Sequence, residues 1–252
     1  MTDLRAAAAR ALACLDLTDL SDDCDLARVE ALCGRAVTPH GAVAAICIWP
    51  RFVAAARPLL APDVRIATVV NFPGGEDAPE DYVALTERAI ADGADEIDMV
   101  IPYRQLLEGR PQAVPAAVER VVRAAGGAPV KAILETGVLQ DADAIRQAAE
   151  LAIEGGARFL KTSTGKAPVN ATLGAAQIML EVIAARDPGV GFKAAGGVRT
   201  AAEAAAYLEL ADRLMGAGWA DPTHFRIGAS GLLDALLAVL DGRDAPASAQ
   251  GY

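Results

Sequence analysis

Lysine is nearly missing from this chain. Of its 23 basic residues, only Lys131, Lys161, Lys166 and Lys193 are lysine, and the rest are arginine. Arginine keeps its charge under all ordinary conditions, whereas lysine can shed a proton and act as an amine nucleophile. The four lysines are therefore candidates for chemistry, with chance survival as the plain alternative. Histidine is as scarce, present only as His40 and His224, and aromatic residues make up just 4%. The four cysteines, Cys14, Cys24, Cys33 and Cys47, form no C-x-x-C pair. That pattern excludes a zinc framework and fits reduced thiols in a cytoplasmic protein. No apolar run approaches the roughly 18 residues of a membrane span. The stretch Met1–Arg10 lacks the apolar core of a secretory signal. Positive charge is in deficit, 23 Lys and Arg against 33 Asp and Glu, a net of -10. This excludes nucleic acid and anionic membrane as partners, though a phosphate site can still be built locally.

What is present is a chain of 252 residues, 53% hydrophobic. That is too apolar for a disordered chain and long enough to bury its own core. Short apolar runs alternate with Ala-rich helical stretches. The runs are 13–17, 43–48, 64–70, 96–101, 130–134, 158–163, 190–194 and 225–227. Helical patterns follow over 25–37, from 51, then over 79–91, 104–125, 141–154, 172–185, 200–214 and 232–240. Eight strand–helix units in this length predict a closed (β/α)8 TIM barrel, an α/β fold, with residues 1–243 as one domain. A doubly wound open sheet is the competitor, but it needs a glycine-rich first turn, and residues 16–22 contain no glycine. Residues 244–252 read as a flexible polar tail.

In such a barrel, functional groups stand at the C-terminal ends of the strands. Lys161 ends the sixth run, and strand alternation puts it on one face with Phe159 and Ser163. Pointing into the barrel mouth, its ammonium would be desolvated and pushed toward the neutral amine. A lysine snorkelling to solvent is the bland alternative. Lys193 ends the neighbouring run, and two adjacent ammonium groups should depress each other's pKa. Asp98 sits mid-strand among apolar residues, where an unpaired carboxylate is costly, so it should pair with a lysine and relay protons. The alternative is a structural salt bridge. Glycine-bearing turns follow the last three runs, at Gly165, Gly196-Gly197 and Gly228-Ala-Ser-Gly231. The helix start near Ser230 adds a dipole that favours an anion, so these turns predict a phosphate cradle, with Lys166 supplying charge. An amine, a second lysine, a carboxylate and a phosphate site together fit Schiff-base chemistry on a phosphorylated aldehyde.

The residues around these positions resemble the 2-deoxyribose-5-phosphate aldolase family of class I aldolases. The resemblance runs in order along nearly the whole chain. It takes in Leu12-Ala-Cys-Leu-Asp-Leu-Thr18, Ala45-Ile-Cys-Ile-Trp-Pro50, Thr68-Val-Val-Asn-Phe-Pro73, Gly93-Ala-Asp-Glu-Ile-Asp-Met-Val100 and Ile133-Leu-Glu-Thr-Gly137. It continues through Lys161-Thr-Ser-Thr-Gly165, Gly191-Phe-Lys-Ala-Ala-Gly-Gly-Val-Arg-Thr200 and Arg226-Ile-Gly-Ala-Ser230. The resemblance implies a TIM barrel, often a homodimer, with no metal or organic cofactor. It implies Lys161 as the Schiff-base lysine, Lys193 as its pKa-lowering neighbour and Asp98 as the proton relay. Asp16, Thr18 and Cys47 would hold the sugar hydroxyls and the small aldehyde. Gly165, Lys166, Gly196, Gly197, Gly228 and Ser230 would line the phosphate. The chain departs from many relatives at Gly231, where a second serine is common, at Ala194, where some have proline, and at Trp49, where some have tyrosine. Tyr252 ends the chain as a tyrosine does in some relatives, which makes it a candidate for proton exchange on the enamine. The readings left beside this one are a Schiff-base aldolase for another phosphosugar and a non-catalytic phosphosugar-binding barrel. A pure binder has little use for two opposed lysines, since arginine holds phosphate better.

Overall fold

The computed structural model describes residues 3–243. Eight parallel strands close into a barrel. They are β1 (Leu15–Asp19), β2 (Ala45–Ile48), β3 (Arg65–Val70) and β4 (Glu96–Val100), followed by β5 (Val130–Ile133), β6 (Phe159–Lys161), β7 (Gly191–Ala195) and β8 (Phe225–Ala229). Each strand pairs with the next in the chain, and β8 returns to β1 with Ile227 opposite Leu15. Closure leaves no exposed sheet edge.

Helices pack around the barrel through apolar stripes, and several of them have a side-chain cap at the start. In the helix Ala113–Ala124, Val114, Ala117, Val118 and Val121 are buried, the spacing of one helical face. Asp25, Asp141 and Thr172 accept first-turn N–H groups of the helices Leu26–Arg35, Ala142–Glu154 and Leu173–Arg186. Thr200 and Glu203 form a reciprocal capping box at the start of Ala201–Met215. These caps lie after the strands, so they set where each loop at the C-terminal rim ends.

The structure departs from the sequence expectations at several boundaries. A helix over Leu4–Ala13 precedes β1, capped by Asp3, so Ala13 closes a helix rather than opening a strand. The helical stretches expected over 104–125 are the two helices Tyr103–Leu107 and Ala113–Ala124, the first starting one residue earlier. Gly109 at φ 80° and Pro111, which has no N–H, separate them. The strand expected over 158–163 is only Phe159–Lys161, so Lys161 is the last residue of β6. A two-residue ladder pairs Val37–Thr38 with Gly41–Ala42 outside the barrel. The tail expected over 244–252 lies outside the described residues. Among the described residues, no helix is long and apolar enough to cross a membrane.

One close approach tests the inward packing of β6 against β7. Gly191 faces Phe159, and a Cβ on it would meet the Phe159 ring at 2.3 Å. Gly191→Ala is expected to cost about 2 kcal/mol and to lower Tm by roughly 4–8 °C. Thermal melts in a Phe159→Leu background should recover most of that loss. An equal loss in both backgrounds would place the strain elsewhere.

Candidate active site

Strand alternation turns an unusual set of side chains into the barrel. Asp16 comes from β1, Glu96 and Asp98 from β4, Lys131 from β5, Lys161 from β6, Lys193 from β7 and Arg226 from β8. All are buried, and Lys161 at 3% is the most exposed of the four lysine and arginine side chains. Interiors of such barrels are usually filled by branched apolar side chains. Here six of the seven form a closed ring of alternating charge. Glu96 meets Arg226 at 2.7 Å, Arg226 meets Asp16 at 2.7 Å, and Asp16 meets Lys193 at 2.5 Å. Lys193 meets Asp98 at 2.8 Å, Asp98 meets Lys131 at 2.5 Å, and Lys131 closes the ring on Glu96 at 2.6 Å. Three carboxylates thus balance three cations. Lys161 is the seventh member, and its one carboxylate contact at salt-bridge distance is Asp98 at 2.9 Å.

The electrostatics follow from that count. Burial lowers the Lys161 pKa, Asp98 opposes the shift and Lys193 adds to it, so the net direction is down. Burial would lower Lys193 as well, but Asp16 and Asp98 overcome it and the pKa is raised. Lys131 is raised for the same reason, by Asp98 and Glu96. Burial would raise the Asp98 carboxyl, yet Lys131, Lys161 and Lys193 outweigh it and hold the group well below its usual range. The expectation that Lys161 and Lys193 depress each other is therefore corrected. Only Lys161 is lowered, because two carboxylates face Lys193 and only one contacts Lys161.

The other anticipated residues fall in distinct places. Asp16 is wholly buried, with its oxygens taken by Lys193 and Arg226, so it is a ring member rather than an open sugar contact. Thr18, one turn of the pleat above it, is half-buried and donates its hydroxyl to the Asp16 carbonyl at 2.8 Å. Cys47 is buried, and burial pushes its thiol pKa up. It packs with Leu20, Ala67, Val69, Trp49 and Phe72 in an apolar cluster separate from the main core. Gly228 lies in β8 with its missing side chain against Lys193, where a Cβ would come within 2.9 Å of Cε. The structure thus shows Gly228 as a space-maker for that lysine, and its carbonyl accepts the Gly196 N–H at 3.4 Å. Gly165, Gly196, Gly197 and Ser230 stand in the loops after β6, β7 and β8, at least partly open to solvent. Helix Leu232–Leu240 begins just after Ser230, with no side chain capping its start. Lys166 lies on the rim and contacts Asp22 at 2.8 Å. Tyr252 lies outside the described residues.

Sequence reasoning assigned no role to Lys131, Glu96 or Arg226. The signal was available. Each is a charged residue within an otherwise largely apolar strand, as Asp98 is, and Glu96 shares a strand face with Asp98. The carboxylates that converge here are already neutralised by ammonium and guanidinium groups.

Comparisons with known proteins agree with this geometry. The model of the DeoC/LacD family of aldolases matches residues 9–237. A curated deoxyribose-phosphate aldolase of Agrobacterium fabrum is 54% identical over 252 residues, spanning 98% of this chain and 97% of that one. A solved Toxoplasma gondii ME49 structure, provisionally assigned as a deoxyribose-phosphate aldolase, has a TM-score of 0.87 at 27% identity and covers 96% of this chain and 99% of its own. One from Coccidioides immitis, assigned in the same provisional way, has a TM-score of 0.82 at 29% identity, over 92% and 86%.

The ring makes a signed prediction. Lys131→Met removes one of the three cations on Asp98, which leaves more of the Asp98 charge for Lys161 and favours its protonated form. The pH midpoint of Lys161 reductive methylation, read by peptide mass, should rise by about one unit. Unfolding free energy should fall by about 3–5 kcal/mol, since Glu96 and Asp98 lose a shared partner. An unmoved midpoint would show that Lys131 does not tune Lys161.

Proposed function

This chain belongs to the DeoC/LacD family of aldolases, and on that premise we propose that it is a class I aldolase acting on 2-deoxy-D-ribose 5-phosphate. The products are D-glyceraldehyde 3-phosphate and acetaldehyde, and the reaction is reversible. The observation that carries the reading is the buried lysine left over once the ring has closed. A neutral ring lies beneath Lys161, so this amine alone has its pKa pushed down at the mouth of the barrel.

The neutral Nζ of Lys161 attacks carbon 1 of the open-chain sugar. Loss of water leaves an iminium, which draws electrons from the bond between carbons 2 and 3. As that bond breaks, the carbon 3 hydroxyl gives up its proton and glyceraldehyde 3-phosphate departs. The electron pair rests in an enamine, which takes a proton at carbon 2. Water then releases acetaldehyde and restores the amine. Splitting one hard step into several easier ones is the gain from covalent catalysis.

Asp98 contacts both Lys161 and Lys193, so it is the proton relay in this scheme. Three cations hold its carboxyl well below the usual range, and one of its oxygens accepts from both Lys161 and Lys193, which makes it the bridge between them. Lys193, held as ammonium by Asp16 and Asp98, takes part in the proton transfer through its contact with Asp98. The apolar wall of Leu20, Cys47, Ala67 and Val69 suits the acetaldehyde methyl group. Gly165, Lys166, Gly196, Gly197 and Ser230 face the phosphate, with the first N–H groups of helix Leu232–Leu240 as donors. Asp16 and Thr18 order the floor and side of the sugar pocket. Tyr252 assists proton exchange on the enamine, and loss of solvent-proton exchange into acetaldehyde on deleting it is the matching test. The proposal includes a cytoplasmic homodimer that uses no metal or organic cofactor. Light scattering tests its mass.

Borohydride reduction in the presence of acetaldehyde tests the nucleophile. One ethyl group is expected on Lys161, and none in Lys161→Met. An adduct on Lys193 would reverse the two lysine roles, and no adduct on folded protein would refute the Schiff-base reading. Gly231 lacks the hydroxyl that a serine would offer a phosphate beside the helix start. Gly231→Ser should therefore lower KM for the phosphorylated sugar by about threefold to tenfold, leaving kcat unchanged. An unaltered KM would remove Gly231 from the phosphate site.

A further inference from the structure

We propose that Glu135 positions the phosphate end of the active site by holding Thr164 and, through it, the turn that carries Gly165 and Lys166. The inference rests on the aldolase reading above and names a specificity-determining residue within it.

Glu135 follows β5 by two residues, and its side chain is only 2% exposed. Its backbone has φ 55°, the left-handed region that residues other than glycine seldom adopt. That conformation turns the chain sharply. The Glu135 carbonyl accepts the N–H groups of Val138 and Leu139 at 2.9 and 3.2 Å, while the side chain crosses to the loop after β6. On either side the backbone is tied to the same segment, Leu134 N–H to the Lys161 carbonyl and Thr136 N–H to the Thr162 carbonyl, both at 2.9 Å. The Glu135 carboxyl therefore stands at a fixed height beside the end of β6.

Both of its oxygens are engaged by one residue. Thr164 donates its backbone N–H to Oε1 at 3.3 Å and its hydroxyl to Oε2 at 2.5 Å. A threonine hydroxyl has a single proton. With that proton held by Glu135, the lone pairs of Thr164 Oγ1 are left for the N–H of Lys166, which they accept at 3.0 Å. The polarity of the relay is thus set at Glu135, which accepts only, and it ends at the backbone of Lys166. The Thr164–Lys166 turn is the part of the rim that the proposed function assigns to phosphate.

A turn can be held by a neutral side chain at less cost than a buried carboxyl. Burial raises the Glu135 pKa, with the Thr164 hydrogen bonds and the charge of Lys161 opposing the shift. The acceptor-only character matters because an amide in its place can donate, which lets the Thr164 hydroxyl turn around and release Lys166.

The test compares substrates that differ only at the phosphate. Glu135→Ala and Glu135→Gln are made in the full chain and assayed with 2-deoxyribose 5-phosphate and with 2-deoxyribose. KM for the phosphorylated sugar should rise about tenfold in Glu135→Ala and by less in Glu135→Gln, which keeps one acceptor. Lys161 also feels the Glu135 charge, so any change there is shared by unphosphorylated 2-deoxyribose and by acetaldehyde trapping, and the roughly tenfold excess should fall on the phosphorylated sugar alone. Equal losses on both sugars, or no change on either, would overturn the proposal and leave the aldolase reading intact. If Glu135→Ala fails to fold, Thr164→Val carries the test, because it removes the hydroxyl and keeps the branched shape. It should reproduce the same split, and an unsplit result refutes the relay. A wild-type chain inactive on both sugars would overturn the aldolase reading and this inference with it.

Discussion

Three carboxylates and three cations close on one another inside the barrel, and the rest of the site depends on that closure. Each charge taken from water alone would be prohibitively costly to bury. Arranged in alternation, every member of the ring has two opposite partners within 3 Å, and none is left uncompensated. A neutral ring has a second consequence. A buried cation added to it is surplus, and that cation is Lys161, which reaches the ring from the open side through one carboxylate oxygen. Its lowered pKa is thus a property of the assembly rather than of a single neighbour.

Such a ring needs room, and the barrel supplies it with small side chains. Ala45, Ala67, Ala195 and Gly228 stand in the strands around the long lysine and arginine side chains. Gly228 lets the stem of Lys193 pass. Below, the Arg226 guanidinium lies 5.5 Å from the centre of the Phe159 ring, so its apolar face is covered while its edge holds Asp16 and Glu96. Arg65, half-exposed, adds a contact to Glu96 at 2.8 Å from outside the ring.

The mouth above the ring divides by chemistry. On one side the cluster around Cys47 is apolar, closed by an edge-on contact of Trp49 with Phe72 at 5.6 Å and by the Trp49 indole N–H on the Ser21 carbonyl at 2.9 Å. On the other side the loops after β6, β7 and β8 offer backbone groups and a helix start. A small apolar aldehyde and a phosphorylated fragment are the two halves such a mouth would separate, with the amine between them. That division comes from the order of strands around the barrel, since β2 and β3 supply the apolar side and β6 to β8 the polar one.

The sequence by itself determined the eight strand–helix units and the TIM barrel, and it pointed to the three residues on which the proposed chemistry centres. Lys161, Lys193 and Asp98 were legible because a charge in an apolar strand stands out, and because strand alternation is a local rule. Strand ends were less legible: Ala13 belongs to a helix, and β6 stops at Lys161, because capping and pairing decide those limits. Only the tertiary structure decided which charges meet. Asp16 and Lys193 are 177 residues apart in the chain, and Arg226 and Asp16 are 210 apart. No local pattern shows that Asp16 is taken up by the ring, that Lys131 and Arg226 complete it, or that Lys193 gains a proton's hold while Lys161 loses one. A pKa depends on how many opposite charges lie within a few ångströms, and that number exists only once the barrel has closed.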